Sequence, residues 1–137
     1  MSIEPSFPNS EDDPARITAW LNFADDLFEA YKPDYDIPGV LQHVLHLALS
    51  HKSAEFRCEA LSVLKMGLLR PEASNLSLLP IAEKLANLDG QELLLALNVI
   101  GLSGDPSLAP FLTPFITHAD KYVRAEASCA NSELAAH

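Results

Sequence analysis

Clustered histidines, two cysteines and three carboxylate pairs are the groups of this 137-residue chain whose types and spacing can do chemistry. His43 and His46 stand three apart, with His51 following. Two imidazoles at that spacing share a helix face and can share a metal, given an acidic third ligand. No Asp or Glu lies between residues 37 and 54 to complete such a site locally. Groove or surface histidines are therefore the stronger reading, and no metal or other cofactor is expected. Asp12-Asp13, Asp25-Asp26 and Asp34-x-Asp36 resemble the pairs used in acid–base catalysis. Catalysis needs burial or a like-charge neighbour to lift one pKa. These pairs fall in a Pro-rich arm, on an expected solvent face and beside a loop, so a solvated acidic surface is the plainer reading. Cys58 and Cys129 have no C-x-x-C context and read as small apolar core residues of a reducing compartment. His118, beside a turn, is expected to set an imidazolium against the negative end of a helix.

Other catalytic signatures are missing. The five glycines (39, 67, 90, 101, 104) form no phosphate loop. Neither G-x-S-x-G nor H-E-x-x-H occurs. The expectation is a protein that is not an enzyme.

Charge is more informative. The formal net charge is −10, and residues 1–40 hold nine carboxylates against Arg16 and Lys32. Such a surface repels phosphate and anionic lipid and steers a basic partner towards the N-terminal third. The bases are scattered, without the basic stripe and interleaved aromatics of a nucleic-acid binder. No apolar run is long enough to span a bilayer, and Met1–Pro5 do not begin a secretory signal. A cytoplasmic location is the default.

The elements that would position these groups are helical. Leu (23) and Ala (18) far outnumber Val (5) and Ile (6), a bias that favours helix over strand. Residues 1–13 read as a flexible acidic arm. Asp13 caps a helix with Pro14 at its first position. Ile17, Trp20, Leu21, Ala24, Leu27, Phe28 and Tyr31 line one face of it, and Lys32-Pro33 ends it.

The remainder repeats. Leu41, Leu78 and Leu108 coincide, as do Val44, Ile81 and Phe111, then Ala48, Leu85 and Phe115. Beyond a turn, Phe56, Leu93 and Val123 align, and so do Ala60, Leu97 and Ala127. Each unit reads as two antiparallel helices: about 38–50 and 54–69, 76–88 and 91–103, 107–118 and 121–135. The units span about 38–69, 76–103 and 107–135, with a loop around 70–75 absorbing the difference in length.

The stretch Gly104-Asp105-Pro106-Ser107-Leu108-Ala109-Pro110, followed by Asp120-Lys121-Tyr122-Val123-Arg124-Ala125, resembles HEAT and armadillo-type repeats. The resemblance covers about 38–137. It implies first helices kinked at Pro80 and Pro110, and an Arg124 bonded to Asp120 or Asp105, with Arg57 aligned to Arg124. The chain departs from it at Leu94 and Ser53, where the family has Arg and Asp. The implied fold is all-α: a short α-solenoid of about seven helices, one N-terminal capping helix and three pairs in a single domain, 14–137.

Such arrays present extended binding surfaces. The leading expectation is a non-catalytic module whose acidic surface binds and inhibits a basic protein, as an immunity protein neutralises a nuclease-type toxin. Contact candidates are Asp25, Asp26, Glu29, Asp34 and Asp36, with Glu55, Glu59, Lys65, Glu92, Asn98 and Glu126 on the second helices. The alternatives are a structural adaptor or subunit of a larger complex, with self-association through the Ala-rich last helix, and more remotely a bilin lyase-like accessory enzyme or a nucleic-acid repair protein.

Overall fold

The computed structural model describes residues 7–9, 12–30 and 35–136. Among them are seven α-helices and no strand: α1 (Pro14–Glu29), α2 (Ile37–Ser50), α3 (Ala54–Gly67), α4 (Leu79–Lys84), α5 (Gly90–Leu102), α6 (Ala109–Ile116) and α7 (Lys121–Ala135). None of these helices is long and apolar enough to cross a membrane. The chain divides into two compact units, 1–76 and 77–137.

In unit 1–76, Asp13 caps α1 by accepting the Ala15 N–H at 2.8 Å, and Pro14 occupies the first turn. The expected face of α1 is buried from Ile17 to Phe28. The helix stops at Ala30, which is extended. Tyr31, Lys32 and Pro33 lie outside the described residues. Asp36 caps α2 through the Gly39 N–H at 3.0 Å. A three-residue turn then reverses the chain into α3, which packs on both α2 and α1. Gly67, the last residue of α3, lies against Phe28 and Leu41, so α1 and α3 end side by side. The expected loop at 70–75 is a 3-10 turn, Pro71–Asn75, that buries Ala73. Arg70 donates to Glu72 at 3.1 Å and holds its carboxyl below the ordinary range.

In unit 77–137, α7 packs on both α5 and α6, and α4 packs on α5. Gly101 and Ala130 form the α5–α7 crossing. A Cβ at Gly101 would lie 2.9 Å from the Ala130 Cα, so only glycine allows this approach. The first helices here are shorter than the repeat predicts. The segment 76–88 holds the six-residue α4 and a 3-10 turn, Leu85–Asn87. The segment 107–118 holds a 3-10 turn and the eight-residue α6. Pro80 stands in the first turn of α4, where a proline gives up no intrahelical hydrogen bond, and Pro110 stands where the 3-10 turn Pro106–Leu108 passes directly into α6.

The arginine expectation is also corrected. Arg124 donates to the carbonyl oxygens of His118 and Ala119, at 2.8 and 2.9 Å, not to Asp120 or Asp105. Both carboxylates are engaged locally: Asp120 accepts the Tyr122 and Val123 N–H groups, and Asp105 accepts that of Ser107. Arg57, its aligned counterpart, likewise reaches the carbonyl six residues before it, His51, at 2.7 Å. The aligned histidines match too. His51 Nδ1 accepts the Ser53 N–H at 2.9 Å, and His118 Nδ1 accepts the Asp120 N–H at 3.0 Å. In both turns the imidazole Nδ1 thus serves as the acceptor for the N–H two residues on. In the middle turn Leu88 and Leu94 replace the histidine and arginine, and Gly90 turns the chain instead, with φ +55°.

Candidate functional site

The end of α1 presents a group of carboxylates that no described cation pairs. Asp26 and Glu29 are exposed in its last turn, and Asp25 beside them is half-buried. None of the three forms an ion pair with a described residue. The last turn of α1 holds no basic side chain. Helix carbonyls give this end a negative potential, where a carboxylate costs about 0.3–1 kcal/mol and a cation gains as much.

Beside these acids is an open cleft of about 480 Å³, lined among the described residues by Ala19, Asn22, Phe23, Asp26, Leu27 and Tyr35. The first five recur at helical spacing along one stripe of α1. Tyr35 reaches the stripe from the segment before α2, its ring 5.5 Å from that of Phe23 and edge-on to it. Leu27 is buried, Phe23 and Tyr35 are half-buried, and Asn22 and Asp26 are exposed. The cleft thus combines an apolar floor, two aromatic rings, an amide and a carboxylate.

The other acids expected to share one contact surface are dispersed. Asp34 lies outside the described residues. Asp36 serves as the α2 cap. Glu55 and Glu59 are exposed and unpaired among the described residues, but they sit near the start of α3. With α1 and α3 ending together, 12 residues separate Glu55 from that end, roughly 18 Å of helix. Lys65 is in the last turn of α3, where a cation is favoured. Glu92 is half-buried in the first turn of α5. Glu126 accepts the Asn98 side-chain amide at 2.8 Å, so these two link α5 to α7 and are not free contact groups. Glu92, Asn98 and Glu126 belong to the second unit.

The histidine pair is tied to the arm. His43 donates from Nε2 to the Pro8 carbonyl, and its ring stacks on Phe7 at 4.9 Å. Trp20 meets Phe7 and His43 edge-on, at 5.5 and 5.1 Å, and its buried Nε1–H has no acceptor among the described residues. At residues 7–9 the arm is thus packed, with Pro8 buried, where a flexible segment was expected. Phe7 stays 41% exposed but lies against Trp20 of α1 and His43 of α2, and these ring contacts with the burial of Pro8 outweigh the polar composition around them. Burial is the main cause that lowers the His43 pKa. Nearby His46 lowers it further, and the Pro8 bond opposes both. Because Nε2 is occupied, His43 and His46 do not present a free pair. Among the described residues no group of three or more His, Cys, Asp or Glu side chains could hold a metal.

Cys58 is half-buried and Cys129 exposed, and neither forms a disulfide. The core expectation fails at Cys129 because Val123, Ala127, Ala130 and Leu134 are the inward residues of α7. Sequence reasoning also missed Phe23, Tyr35 and Asn22. Phe23 breaks the three-and-four spacing of the buried face, which was the available signal; nothing in the order of residues brings Tyr35 to it.

No protein-family model matches this chain, and neither the curated proteins nor the solved structures provide a match to it.

Proposed function

We propose that this chain is a HEAT-like, non-catalytic protein-binding module whose acidic surface captures a basic protein. In the sharper form of the reading it inhibits that protein, as an immunity protein masks a nuclease-type toxin. One observation carries the proposal: Asp25, Asp26 and Glu29 crowd the negative end of α1 with no described cation to balance them. Stability alone favours lysine or arginine there. A cationic partner turns the unfavourable placement into attraction and accelerates its own capture.

The test is capture from native cells at low salt, with the triple variant Asp25→Lys, Asp26→Lys, Glu29→Lys as control. The expected result is a basic protein retained by the wild type, released by about 0.5 M salt and not retained by the variant. Equal retention by both forms sinks the reading.

A second reading is favoured by α7. Tyr122, Ala125, Cys129 and Ser132 form an exposed stripe on it, with Tyr122 64% exposed. Small residues at this spacing permit close helix approach, as self-association or docking in a larger complex requires. Sedimentation equilibrium decides this: a dimer abolished by Ala125→Glu supports it, and a monomer at high concentration removes self-association.

A further inference from the structure

We propose that the cleft at the end of α1 receives one arginine side chain of the basic partner. The inference rests on the basic-partner reading and names its anchor. Four features of the cleft converge on a guanidinium. The half-buried rings of Phe23 and Tyr35, edge-on to each other at 5.5 Å, offer an aromatic face, and a cation over such a face is attracted by its quadrupole. Asp26 stands one turn from Phe23 on the same stripe and supplies a carboxylate that a planar fork can meet with two donors. Asn22 adds an amide acceptor at the rim. The carbonyls ending α1, with Asp25 and Glu29 beside them, deepen the negative potential over the opening.

Other occupants fit less well. Lysine supplies charge but has no planar face to stack, and its ammonium is more strongly hydrated. An apolar side chain would strip water from Asp26 and return nothing. A second copy of a chain with net charge −10 is repelled. The volume of about 480 Å³ is that of a ligand pocket and admits a long side chain with part of its backbone.

The experiment titrates the full, isotope-labelled chain at about 20 mM salt, where screening is weak, with two peptides of equal charge. One alternates arginine with glycine, and the other alternates lysine with glycine. The arginine peptide should move the amide signals of Asn22, Phe23, Asp26, Leu27 and Tyr35 and bind about fivefold more tightly than the lysine peptide. Asp26→Asn and Tyr35→Ala should each remove that preference, Tyr35→Phe should keep it, and Glu83→Gln, at an exposed position of α4, should leave it unchanged. Equal affinity of the two peptides, with shifts spread as far as Glu55 and Glu59, overturns the cleft and leaves the diffuse basic-partner reading standing. No binding of either peptide overturns both.

Discussion

The turn into α3 and the turn into α7 share one hydrogen-bond pattern, yet different forces hold them. Both pair a histidine Nδ1 with the N–H two residues on, and both clamp that histidine's carbonyl with an arginine six residues on. His51 is only 5% exposed and its ring lies 4.9 Å from Phe56. Ser53, at the head of α3, makes no side-chain cap. His118 is half-buried, and its turn is instead capped by Asp120, which accepts two N–H groups. Burial does in the first unit what a carboxylate does in the second. The middle turn has neither and relies on Gly90.

The largest contrast is expected from removing the rings. His51→Ala leaves a part-buried Ser53 N–H without an acceptor and empties the space beside Phe56, a loss of about 2–3 kcal/mol. His118→Ala should cost less than about 1 kcal/mol, since water can replace the acceptor. Urea unfolding of both variants measures the difference, and equal losses would break the comparison.

Next come the two glycine contacts. Gly101→Ala meets the Ala130 backbone, which can yield only by moving α7, and should destabilise by about 2 kcal/mol. Gly67→Ala meets the side-chain ends of Leu41 and Phe28, which can rotate. Its loss should stay under about 1 kcal/mol, because alanine also favours helix. The same denaturation series ranks them.

Smaller effects sharpen the capping argument. Asp120→Ala should cost about 1 kcal/mol. Ser53 and Asp120 have nearly the same backbone, φ −89° and ψ 123° against φ −81° and ψ 124°. Ser53→Asp should therefore gain up to about 1 kcal/mol, read as a higher unfolding midpoint; no gain would show that burial at His51 already saturates this turn.

The smallest effect is a pH slope from the arm. The folded His43 pKa lies below 6.5, so on acidification the unfolded chain takes up this proton first. Stability should be constant above that region and fall as pH drops from about 6.5 towards the folded value. His43→Gln should flatten the thermal-midpoint profile between pH 7.5 and 5 if this group is its source.

Helix types and most helix positions were legible from local pattern. The α1 face from Ile17 to Phe28 and the Asp13-Pro14 start depend on periodicity and capping, both properties of neighbouring residues. The paired Arg57 and Arg124 were legible as a repeat, but their acceptors were not. Carboxylate and carbonyl oxygens compete for a guanidinium, and the competition is decided by which N–H groups the carboxylate has already taken. The nine carboxylates chosen as contacts were legible as charge, not as a surface: Asp36 became a cap and Glu126 a link to Asn98.

By itself the sequence determined the helical character of the described residues and the concentration of charge in the first forty positions, because composition and periodicity act through local backbone preference. Only the tertiary structure decided that Phe7 and Pro8 pack over His43, that Phe23 and Tyr35 meet beside Asp26, and that Gly101 marks the crossing of α5 and α7. Each of these depends on the closest approach of segments remote in sequence or held apart by a turn. Close packing sets such distances through the shapes of all the neighbours at once.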